Sequence, residues 1–131
     1  MNNESSSNNE FLNPKTEFDL EKRTLDFGKA VVQQARIIPE NRITRPIISQ
    51  FIRSGTSVGA NYCEANNAQS KADFNHKISI CKKESREVMY WLSLLAEVSP
   101  DTKSEITVLW QEAKELTLIF GAIVRSSRTK K

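Results

Sequence analysis

Between Arg53 and Glu64 the chain carries no charged residue: the ten positions read Ser-Gly-Thr-Ser-Val-Gly-Ala-Asn-Tyr-Cys. Charged residues make up 27% of the whole sequence, so this run of mostly small, uncharged side chains limits what the chain can become. Ile48, Phe51, Ile52, Gly55, Val58, Gly59 and Tyr62 keep the i, i+3, i+4, i+7 step of a helix face. Gly55 and Gly59 each weaken a helix by about 1 kcal/mol against Ala, so this helix is held by packing rather than by propensity. Gln50, Arg53, Ser54, Ser57, Asn61 and Glu64 are read as the face opposite the apolar stripe. The short uncharged side chains among them fit a solvated face poor in charge. They also fit a helix covered on two sides, by its own fold and by another subunit or ligand. A phosphate-cradling loop needs a following Gly-Lys-[Ser/Thr] and a preceding strand, and neither pattern is present.

A chain of 131 residues makes one domain with room for a core. Four glycines and four prolines favour helices over a turn-rich sheet fold. The net charge of +3 permits nucleic-acid binding without demanding it. Cys63 and Cys81 sit within helical patterns and read as free thiols of a reducing cytoplasm. The polar N-terminus lacks the apolar segment of a secretory signal. No apolar run approaches the roughly eighteen residues of a membrane span. The expected location is cytoplasmic.

Residues 1–13 form a polar tail too poor in apolar groups to order itself, and the folded unit is expected over 14–126. Asn13-Pro14 predicts the start of a first helix ending near Ile38, with Phe18, Leu25, Phe27, Val31, Val32, Ala35 and Ile38 on its apolar face. A second helix starts at Thr44 or Arg45, before Pro46, and ends near Asn66. Ser70 with Asp73 opens the third in the manner of a capping box. Phe74, Ile78, Cys81, Ser85, Val88, Leu92 and Leu95 give that helix an unbroken heptad. Ser99-Pro100-Asp101 ends it. Ile106, Leu109, Ala113, Leu116, Phe120 and Ile123 repeat the step in a fourth helix, before a basic tail over 127–131. Folded about these short loops, Phe51 comes opposite Ser85, Gly55 opposite Cys81, Cys81 opposite Phe120 and Ser85 opposite Leu116, large against small. The fold class is therefore all-α, an antiparallel up-down-up-down four-helix bundle.

Catalytic, cofactor-binding and metal-binding residues are not expected. A bundle di-metal site needs glutamates with Glu-x-x-His pairs, and the single histidine, His76, has no Glu three positions before it. A cysteine nucleophile needs a histidine base and an orienting group. Glu84 and Glu87, flanked by Lys82, Lys83 and Arg86, read as intrahelical ion pairs. Tyr90, Trp91 and Trp110 pack between helices or subunits, or stack a base where exposed beside basic residues; packing is the commoner use. The candidate phosphate contacts are Arg42, Arg45, Lys77, Lys82, Lys83, Arg86, Arg125, Arg128, Lys130 and Lys131.

The motif at 53–65, Arg-Ser-Gly-Thr-Ser-Val-Gly-Ala-Asn-Tyr-Cys-Glu-Ala, is followed by Ser-Lys-Ala-Asp-Phe at 70–74, Lys-Glu-Ser-Arg-Glu at 83–87 and Tyr-Trp-Leu at 90–92. In these segments the chain resembles a bacterial four-helix-bundle family that includes proteins encoded in intervening sequences of large-subunit ribosomal RNA genes. A related branch holds the accessory variability determinant of diversity-generating retroelements. Phe51, Gly55 and Val88 stand where Leu, Ala and Thr are usual. The resemblance implies an antiparallel bundle, ring-like homopentamers and, for the retroelement branch, binding to nucleic acid and a reverse transcriptase. A ring would explain the uncharged helix face, and assigns Arg53, Ser54, Ser57, Ala60, Asn61 and Glu64 to a subunit interface. It would also repeat each basic patch around an axis, so that weak phosphate contacts act together. Two functions follow: a non-enzymatic oligomer binding structured nucleic acid, chiefly RNA, or a homopentameric protein-interaction scaffold that binds none.

Overall fold

The computed structural model describes residues 19–129, those at 128 and 129 without their side chains. It is all-α over this range: α1 is Leu20–Ile37, α2 Thr44–Asn66, α3 Lys71–Val98 and α4 Lys103–Thr129, with a short 3₁₀ turn at Pro100–Thr102 before α4. Each helix packs on its neighbour in sequence, and α1 also meets α4 more lightly. Phe27, Phe51, Phe120, Ile78, Leu92 and Leu116 are among the side chains that fill one shared core.

The helix boundaries are set by local chemistry. Ser70 accepts a hydrogen bond from the Asp73 amide at 3.0 Å, as the sequence predicts. α2 starts at Thr44, as the sequence predicts, and Asn41 Oδ1 accepts from the Ile43 and Thr44 amides at 2.8 and 2.9 Å. The Thr44 hydroxyl donates to the Pro39 carbonyl at 2.8 Å, tying the loop to the helix start.

The start of α1 is corrected. Asp19 is non-helical and its carboxylate accepts from the Lys22 amide at 3.1 Å, so the helix begins at Leu20. Asn13, Pro14 and Phe18 lie outside the described residues. At the other end, α4 continues to Thr129, past the expected start of the basic tail.

Two side chains expected on the core face of α1 point outward: Leu25 is 55% exposed and Val32 42%. The buried stripe contains Arg23, Thr24, Asp26, Phe27, Ala30, Val31 and Gln34. The two α2 glycines set how closely α1 approaches. A Cβ on Gly55 would lie 2.6 and 2.7 Å from the Val31 methyls, and one on Gly59 3.2 Å from the Thr24 carbonyl oxygen. The space on the Cβ side of Gly55 is thus filled by Val31 of α1. Ser54, read as outward-facing, is 0% exposed. At 100° per residue it lies only about 60° from the stripe through Phe51 and Val58, and it satisfies its hydroxyl by donating to the Gln50 carbonyl at 3.0 Å.

Candidate nucleic-acid and self-association surfaces

The expected phosphate contacts divide by their partners. Lys77 donates to Glu64 at 2.6 Å, and this hydrogen bond raises the lysine's pKa above its ordinary value. Arg45 pairs with Glu40 at 3.3 Å. Lys82, Lys83, Arg86 and Arg125 have no ion-pair partner among the described residues, and Arg42 is exposed at the loop before α2. The Arg128 side chain, Lys130 and Lys131 lie outside the described residues.

Lys82 on α3 and Arg125 on α4 come together over Gly121. A Cβ there would meet Arg125 Nη1 at 3.4 Å and Lys82 Nζ at 3.8 Å, so the two nitrogens are no more than about 7 Å apart. The missing side chain makes room for two cations over one point. Lys83 and Arg86 continue the charge along the exposed face of α3. The expected intrahelical pairing is corrected in part: Lys83 acts on Glu87 through its charge without ion-pair contact, and the two glutamates on α3 reach across to α2. Arg53 donates to Glu84 at 3.3 Å and to Glu87 at 2.5 Å. Glu87 also accepts from the Trp91 indole at 2.9 Å. That bond, followed by Arg53, holds the Glu87 carboxyl below its ordinary pKa.

The residues assigned to a subunit interface divide too. Arg53 and Glu64 are engaged with α3, and Ser54 is in the core. Ser57 and Asn61 are half-buried, their side chains donating to the carbonyls of Arg53 and Ser57 at 2.6 and 2.8 Å. Ala60 lines a groove of about 600 Å³ between α1 and α2, together with Leu25, Gly28, Val32, Thr56 and Cys63. The apolar surface missing from the sequence reading is therefore on α1. Its signal is present in the sequence, since Leu25 and Val32 are a heptad apart and off the Phe27–Val31 stripe.

Arg23 is the other residue that sequence reasoning passed over. It stands on the apolar stripe of α1, which is the available signal, and its partners Glu112 and Glu115 lie on α4. Among the described residues no group of three or more His, Cys, Asp or Glu side chains gathers into a metal-binding arrangement. His76 is exposed, as is Cys63, while Cys81 is buried. No described helix is long and apolar enough to cross a membrane.

Among the described residues these features define an all-α, four-helix protein with a cationic face and an apolar groove. The chain belongs to the 23S rRNA-intervening sequence protein family, whose model matches residues 16–122. Among solved structures it is similar to a protein of unknown function from the S23 ribosomal protein family of Bacteroides thetaiotaomicron VPI-5482. The two share 31% identity with a TM-score of 0.74, over 81% of this chain and 98% of the other. No curated protein matches the chain. The retroelement link rests on the sequence resemblance alone.

Proposed function

We propose that this protein is a non-enzymatic, self-associating antiparallel bundle that binds nucleic acid, chiefly RNA, through phosphate contacts. The observation that carries this reading is the set of cations Lys82, Lys83, Arg86 and Arg125, which lack ion-pair partners among the described residues. A cation already paired with a carboxylate gains little from a phosphate. An unpaired one releases the counterions of the nucleic acid. The family's printed link to ribosomal RNA supports the choice of RNA. The up-down arrangement is supported by ion pairs: Arg53 meets Glu84 and Glu87, while Glu64, further along α2, meets Lys77, earlier on α3.

Self-association is assigned to the groove between α1 and α2, where Leu25 and Val32 are exposed beside Ala60. A ring of five, which the resemblance implies, would bury this groove and repeat the cationic face around its axis. The same groove favours the second reading, a scaffold that binds a protein and no nucleic acid.

Anisotropy with labelled RNA, titrated with salt, separates the two. Binding that weakens steeply as salt rises supports the first reading, and absence of binding at low salt supports the scaffold. Native mass spectrometry of Leu25→Glu tests the groove. The exposed position keeps the chain folded, and an unchanged oligomeric mass would remove the groove from the interface.

A further inference from the structure

Tyr90 is 58% exposed, yet the residues beneath it hold it in place. Its ring meets that of Trp91 edge to face, with centroids 4.9 Å apart and planes at 74°. Trp91 is half-buried and donates its indole N–H to Glu87, which Arg53 of α2 also engages. A chain of contacts from α2 thus fixes the orientation of an aromatic ring that stands mostly in solvent. The near-perpendicular contact secures Tyr90 by one side without covering it as a stacked ring would.

On the side towards the start of α3 the surroundings of the ring are cationic, while exposed Glu97 follows it by seven residues. Arg86 and Lys83 precede Tyr90 by four and seven residues on the exposed face of α3, and neither is ion-paired to a described residue. With a rise of about 1.5 Å per residue they sit roughly 6 and 10 Å along the helix axis from the ring. Glu87, the nearest carboxylate in sequence, is turned towards Arg53 and Trp91, which donate to it.

We infer that Tyr90 is a stacking platform for an unpaired base, and that the ligand of this face is a single strand with its phosphates on Arg86 and Lys83. This deepens the nucleic-acid reading and rests on it. A duplex hides its base faces in its own stack, and an A-form major groove is too narrow to admit side chains. Only an unpaired base offers a face to a tyrosine. Stacking is tolerant of sequence, so the expected preference is for strandedness, not for a motif.

The test uses the full chain with a fluorescein-labelled oligo(U) of about twenty nucleotides and an RNA hairpin of equal length, followed by anisotropy across a salt series. The single strand binds more tightly than the hairpin. Tyr90→Ala weakens oligo(U) binding about tenfold or more, as expected for one stacked base, and leaves the salt slope unchanged. Tyr90→Phe stays within about twofold. Arg86→Gln lowers the salt slope by about one. Circular dichroism and native mass confirm that each variant keeps its fold and assembly. Equal binding of hairpin and single strand with an indifferent Tyr90→Ala overturns the stacking inference and leaves the phosphate reading standing. A Tyr90→Ala variant that loses its assembly marks the tyrosine as a packing residue and also overturns the inference. No binding of either RNA at low salt overturns both.

Discussion

Arg23 and Glu112 form a two-pronged ion pair that joins α1 to α4: Arg23 Nε donates to Glu112 Oε2 at 2.7 Å and Nη2 to Oε1 at 2.8 Å. Nη2 also reaches Glu115 at 2.9 Å. Donating to Glu112 raises the guanidinium's pKa above its ordinary value. Only 6% of the Arg23 side chain is exposed and 13% of that of Glu112. Removing one partner leaves the other charge largely buried, so Glu112→Ala should cost about 2–4 kcal/mol in urea unfolding. The double variant Arg23→Met, Glu112→Leu should recover most of that loss, because it removes both charges and keeps the volume.

Gly55 and Val31 are matched in size. Gly55→Ala should destabilise this chain by about 1–3 kcal/mol. Its methyl would sit 2.6–2.7 Å from a β-branched side chain with little rotamer freedom. Val31→Ala added to it should be markedly milder than the sum of the two single changes. A double-mutant cycle by urea unfolding measures this coupling.

The two cysteines should react at very different rates. Cys63 is exposed, while burial pushes the Cys81 thiol from 9.0 up to about 12. A thiol reagent should label one cysteine at once and the second only on unfolding. The raised folded value also has a sign for stability. The contribution is fully present below about pH 9, where both states hold the proton, and declines as pH rises towards 12, because the unfolded thiol ionises first. Cys81→Ala should flatten the alkaline limb of the stability profile.

Glu87 works in the opposite direction. Its carboxyl lies below the ordinary value of 4.5, first because Trp91 donates to it and then through Arg53. Its contribution is present above that value and lost as pH falls through the lowered folded one. Trp91→Phe keeps the ring and removes the donor, so the Glu87 titration followed by NMR should move upward.

Most helix ends were legible because each breaker acts locally: the Ser70 cap, the heptads of α3 and α4, and Pro100 depend on a few neighbouring residues. The start of α1 was not, because Asn13 and Asp19 are both competent caps and spacing alone does not rank them. Leu25 and Val32 were misplaced for a different reason. Apolar character marks a residue that leaves water without saying whether its own core or another surface receives it. Arg23 could not be paired from the sequence, since its partners lie 89 and 92 residues away. Ser54 was misread because a serine that bonds to its own helix backbone enters a core at little cost.

Lys82 and Arg125 meet over Gly121, and neither is ion-paired to a carboxylate among the described residues. Like charges at that separation repel, so the native state holds an electrostatic tension that the extended chain does not. An anion seated between the two nitrogens relieves it, and ligand affinity and folding stability become one quantity seen from two sides. The protein should accordingly melt at a higher temperature with a bound polyanion than without one, and part of the thermal margin of this face would belong to its ligand.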